Sequence, residues 1–102
     1  MVVVLCNVPP MGADRIASAL VTEGLAACVN AVPGVTSTYM WEGALHRTAE
    51  TALWIKVADE RVGALSERLR ALHPYTTPEI LVLPVDVGRS DPRYVAWVRG
   101  EP

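Results

Sequence analysis

The run His73-Pro74-Tyr75-Thr76-Thr77-Pro78-Glu79 is the densest group of chemically able side chains in this sequence. Its two prolines restrict the backbone, so His73, Tyr75 and Glu79 are held in set directions. An imidazole and a carboxylate held that way could bind a cation or a small molecule. The same run also reads as a rigid helix-to-strand connection with a capping histidine. Cys6 adds a second chemistry at the end of the apolar run Val2-Val3-Val4-Leu5-Cys6. Thiolate and imidazole suit copper and zinc, whereas magnesium and calcium prefer oxygen shells. Cys6 and His73 can share an ion only if the fold, or a neighbouring subunit, brings their loops together. Without such a partner Cys6 is a small buried hydrophobe. Cys28, in Ala26-Ala27-Cys28-Val29-Asn30, reads as packing. Lys56, the only lysine, stands among apolar strand residues and needs a partner. It could form an ion pair across an interface or line a cleft. His46 reads as exposed.

A long β-hairpin over residues 35–57 must position much of this. β-Branched and aromatic residues dominate both arms, and Glu42-Gly43 marks the turn. Alternation puts Leu53, Ile55 and Val57 on one face, and Glu50, Ala52, Trp54 and Lys56 on the other. Tyr39 and Trp41 share a face on the first arm. Large apolar groups on both faces do not suit a ribbon with one side in water. A second subunit is therefore expected to cover the excess. An inter-subunit cleft of this kind would draw on Trp41, Glu42, Glu50, Trp54, Lys56 and Tyr75.

The other elements follow from periodicity and stop signals. Residues 2–8 read as a central strand, ended by Pro9-Pro10. A helix is expected over about 11–23, with Ala13, Ile16, Ala17 and Leu20 as its apolar stripe and Gly24 as its C-terminal cap. A second strand begins over 25–32, and Pro33-Gly34 should bend or bulge it. Asp59 reads as the N-cap of a helix carrying Val62, Leu65, Leu69 and Leu72, stopped at His73-Pro74. Residues 79–85 read as a central strand. Asp91-Pro92 opens a short last helix whose apolar side is Tyr94, Trp97 and Val98. The order β-α-β-β-α-β with an added C-terminal helix gives an α+β, ferredoxin-like fold. Right-handed crossovers put both main helices on one sheet face and leave the other open.

The chain has 102 residues, which suits one domain over 1–102. Half of it is hydrophobic, again pointing to a buried subunit interface. Nine basic and 11 acidic residues give a net charge of −2, so nucleic-acid binding has little electrostatic support. No apolar run is long enough to span a bilayer. The start lacks the basic region and cleavage site of a signal peptide, so a cytoplasmic location with reduced thiols is expected. Glycine-rich phosphate loops, Ser/His/Asp orderings and C-x-x-C pairs do not occur. An enzyme has least support, because no nucleophile–base spacing is visible.

Leu25-Ala26-Ala27-Cys28-Val29-Asn30, Ser37…Tyr39…Trp41-Glu42-Gly43, Glu50 with Ile55-Lys56, His73-Pro74-Tyr75…Pro78-Glu79-Ile80 and Tyr94…Trp97 resemble the CutA divalent-cation tolerance proteins. The resemblance runs through nearly the whole chain. It implies a ferredoxin-like subunit, a homotrimer built like the PII signalling proteins, and a cytoplasmic role linked to divalent metal, chiefly copper. No reaction is implied. In bacterial members the copper ligands proposed are a cysteine ending the first strand and a His-His pair before Pro-Tyr. Cys6 and His73 fall on two of those positions, and Glu79 lies near. Leu72 occupies the third position and offers no donor. A PII-like sensor, taking a small molecule or anion in inter-subunit clefts, is the alternative.

Overall fold

The structure, a computed structural model, describes residues 1–101. Strand β1 (Val2–Val8) leads to helix α1 (Ala13–Thr22). The hairpin arms are β2 (Cys28–Trp41) and β3 (Ala44–Val57). A 3-10 turn, Asp59–Arg61, leads into α2 (Val62–Leu72). Strand β4 (Leu81–Pro84) and helix α3 (Pro92–Arg99) complete the order. One antiparallel sheet runs β2-β3-β1-β4. This is the ferredoxin-like arrangement the element order implies.

Alternation decides which face is core. Val4, Cys6 and Val8 of β1 and Leu53, Ile55 and Val57 of β3 are fully buried. They meet Ala13, Ile16 and Leu20 of α1 and Leu65 and Leu69 of α2 in one cluster. Each buried branched side chain contributes roughly 1.5–3 kcal/mol, so this two-helix layer dominates the stability. The opposite sheet face is covered by α3 only at the end near Met1 and Cys28 and is open elsewhere. There Leu81, Leu5 and Trp54 line up across β4, β1 and β3. Trp54 is 42% exposed and Leu81 48%.

The hairpin is continuous through Pro33-Gly34. Val32 pairs with Ala52 and Val35 with Glu50, so two residues of β2 oppose Thr51 alone. That is the expected bulge, and it changes the twist where the arms leave the main sheet. Glu42 and Gly43 both have positive φ, 50° and 78°. This is the type I′ pattern that matches strand twist. Tyr39 stacks on His46 at 5.5 Å and shares a 2.9 Å hydrogen bond with Thr48, which stiffens the outer half.

Several expected boundaries move. Helix α1 starts at Ala13 because Gly12 takes φ 96°, outside the helical region, and Met11 points into solvent. Strand β2 starts at Cys28, since the Leu25 and Ala26 N–H groups donate to the Leu20 carbonyl and cap α1 instead. Asp59 is no side-chain cap; its carboxylate accepts from the Met1 ammonium at 3.1 Å. Asp91 does cap α3, accepting from the N–H of Arg93 and of Tyr94. Strand β4 is four residues long and lies at the sheet edge, so it is not the central strand expected over 79–85. It finds only the Val2–Leu5 half of β1 to pair with. Helix α3 buries Val95 and Val98 against Met1, while Tyr94 and Trp97 face outward.

Candidate functional site

The main cleft has a volume of about 770 Å³. It lies on the open sheet face, where β1 ends, the outer hairpin bends away and the 74–79 loop folds over. Asn7 forms its floor. Ser37, Thr38, Tyr39 and Trp41 come from β2, Glu50 from β3, and Tyr75, Thr76, Thr77 and Glu79 from the loop. Val35 opposes Glu50, so odd-numbered β2 residues share the Glu50 face and reach the cleft.

A chain of hydrogen bonds fixes the loop. The Tyr75 N–H donates to His73 Nδ1 at 3.1 Å. Nδ1 must then be unprotonated, so Nε2 carries the proton and donates to the Asn7 carbonyl at 2.8 Å. Asn7 Nδ2 donates to Glu79 Oε2 at 3.0 Å, and the Tyr75 hydroxyl donates to Glu50 Oε2 at 3.2 Å. His73 is buried, with its ring against Tyr75 at 4.7 Å. Burial first, and the Glu50 carboxylate second, push the Tyr75 hydroxyl above its ordinary value.

Asn7 is thus the hub that brings Cys6, His73 and Glu79 to one place. Cys6 itself points into the core, and its thiol makes only a long 3.8 Å contact with the Asn7 carbonyl. Both ring nitrogens of His73 are engaged. Among the described residues no group of three or more His, Cys, Asp or Glu side chains is placed to hold a metal ion. As arranged, these donors do not fit a resident metal. Trp41, Glu50 and Tyr75 line the cleft, as does Glu79. Trp54 and Lys56 lie further along the same face of β3, opposite Leu5 and Val3, and Glu42 stands at the hairpin turn. Asn7, Ser37, Thr38, Tyr39, Pro74, Thr76 and Thr77 line the cleft without having been among the expected site residues. For Asn7 the one signal was a polar side chain following an otherwise apolar strand run.

Burial pushes the Cys6 thiol up to about 12, and the Glu79 and Glu50 carboxylates add to the effect. Only thiolate is alkylated, so iodoacetamide at pH 8 should react with Cys6 about a thousandfold more slowly than with a free cysteine. Peptide mass spectrometry reads this directly; labelling as fast as that of glutathione would overturn it. Stability follows the same sign. The folded chain keeps this proton while the unfolded thiol loses it, so stability falls as pH rises from 9.0 to about 12.

The electrostatics of the cleft are one-sided. Glu50 and Glu79 face it, and no Lys, Arg or His is among its lining residues. No helix among the described residues is long and apolar enough to cross a membrane.

The profile of the CutA1 divalent ion tolerance protein family matches residues 2–101. A divalent-cation tolerance protein CutA of Thermus thermophilus is 48% identical over 98 residues, covering 95% of this chain and 93% of that protein. The CutA protein of Pectobacterium atrosepticum is 45% identical, covering 95% and 87%. Among solved structures, the apo PII-like protein CutA of Nostoc sp. PCC 7120 superposes with a TM-score of 0.94 at 41% identity, covering 98% of this chain and 95% of that one. The Thermus thermophilus divalent cation tolerance protein gives 0.91 at 46% identity, covering 98% and 96%.

Proposed function

Because the chain belongs to the CutA1 divalent ion tolerance family, we propose that it serves as one domain of a cytoplasmic homotrimer that holds a positively charged ligand in the cleft. One observation carries the charge: two carboxylates, Glu50 and Glu79, face a lining that has no basic side chain. The anion reading finds no basic side chain among the lining residues of this chain. The trimer is supported by the open part of the sheet face and by a hairpin that draws the molecule out to 49 × 27 × 22 Å. A second copy closing over Trp54 and the outer hairpin would complete the cleft wall. Copper, the ion that Cys6 and His73 would favour, reaches them only if His73 gives up the Asn7 and Tyr75 hydrogen bonds, so such ligation is weak. A role in cation tolerance needs binding alone, and no catalytic step is assigned.

The test is a panel of matched ions added to isotopically labelled protein and followed by amide NMR. Zinc, magnesium and ammonium ions are set against phosphate and acetate. Residues 37–41, 50, 75–77 and 79 should shift with cations, and Glu50→Gln should abolish the shifts. Shifts produced by anions alone, or confined to other surfaces, would defeat the reading.

A further inference from the structure

Of the two cleft carboxylates only Glu50 is buried, at 7% exposure. It enters no ion pair among the described residues. One oxygen accepts from Tyr75. The other has no protein donor, and since no fully buried side-chain oxygen among the described residues lacks one, it keeps some solvent access, in a residue that lines the cleft. A carboxylate this buried, with one neutral donor and no basic neighbour, gains from a positive charge brought beside it. The question is what kind.

A bare metal ion is a poor match. Protein donors grip such ions at roughly 2.0–2.6 Å and must converge on a point. No cluster of three charged or soft donors does so here, and His73 is fully committed. The cleft, at about 770 Å³, has the size of a small-molecule site. Its walls are aromatic and hydroxylic: Tyr39, Trp41 and Tyr75, with Ser37 and Thr76 between them. Aromatic faces attract organic cations, most strongly where water is excluded. Hydroxyls suit the polar substituents such cations carry.

We propose that the cleft binds a small organic ammonium ion, paired with Glu50 and packed against the aromatic wall, in preference to a bare divalent metal. This rests on the cleft being the ligand site. Calorimetric titration of the intact protein with ethanolammonium and choline chlorides tests it, with zinc chloride and glycerol as metal and neutral probes. Both ammonium ions should bind competitively, and glycerol should not. Glu50→Gln should weaken ammonium binding about tenfold or more, as expected on losing one buried charge partner. Glu50→Asp should keep part of it, and Glu50→Gln should sediment like the wild type. Zinc binding that depends on Glu50, with no heat from either ammonium ion, would keep the site and overturn the ligand class. Absence of Glu50-dependent binding by any cation would overturn both. Dissociation of Glu50→Gln into single chains would also overturn the proposal, by assigning Glu50 to the subunit contact rather than to a ligand.

Discussion

Trp54→Glu should turn a three-chain particle into single chains. In sedimentation equilibrium at micromolar concentration the wild type is expected at three times the chain mass and the variant at one. Trp54 sits on the open part of the sheet face, between Leu5 and Asn30 on the neighbouring strands. In the single chain it is 42% exposed, so a glutamate there stays hydrated and the subunit still folds. In the proposed trimer the same carboxylate would be buried against apolar groups without a partner. That costs several kcal/mol at every interface, and a cyclic trimer repeats it three times. Trp54→Phe keeps the apolar area and should leave the assembly whole. A Trp54→Glu variant that still sediments as three chains would show that this face is not the interface.

Leu53→Ala should cost about 2–5 kcal/mol, as expected for a fully buried leucine in the main core. Leu53 is fully buried, opposite Cys6 on β1 and Ala31 on β2, and belongs to the cluster under α1 and α2. Removing its isobutyl group leaves a cavity in the layer that both helices share. Met11→Ala is the control; Met11 is 94% exposed, and the change should stay within about 0.5 kcal/mol. Urea unfolding at one fixed protein concentration compares them, since association links stability to concentration. A Leu53→Ala midpoint equal to that of Met11→Ala would mean that β3 is not the centre of the core.

Much of this was legible in the sequence because it depends on neighbours along the chain. The period-two pattern of Leu53, Ile55 and Val57 marks a buried strand face, and Pro33-Gly34 marks the bulge. The period-three-and-four stripe of α2 is equally local. What failed to show depends on contacts made far along the chain. Tyr94 with Trp97 and Val95 with Val98 have the same spacing, so periodicity cannot choose the buried pair of α3. Met1 chooses it, by packing on Val95 and Val98. Strand β4 is apolar on both faces, which imitates a central strand, yet its place at the edge is set by topology. Asn7 offered only a polar side chain after an apolar run, which does not reveal its role. Its role comes from His73 and Glu79, more than sixty residues away. The cleft followed the same rule: the loop residues stood out, while its floor did not.

The sheet order also sets a timetable. β1 is the earliest of the four strands to be made, and it ends between the two strands it waits longest for. Val4 pairs with Ile55 and with Val82. At synthesis rates of about 5–20 residues per second, its first partner arrives some seconds later and its second later still. The hairpin suffers no such delay. Its arms are joined by two residues, and hairpins close in about 1–10 μs. β2 and β3 therefore zip as soon as both have emerged. The nascent Val-Val-Val-Leu segment stays unpaired until that ribbon presents the Leu53 edge to it. During that interval it is an apolar strand with two open edges, and this is when the chain most needs shielding from its own copies.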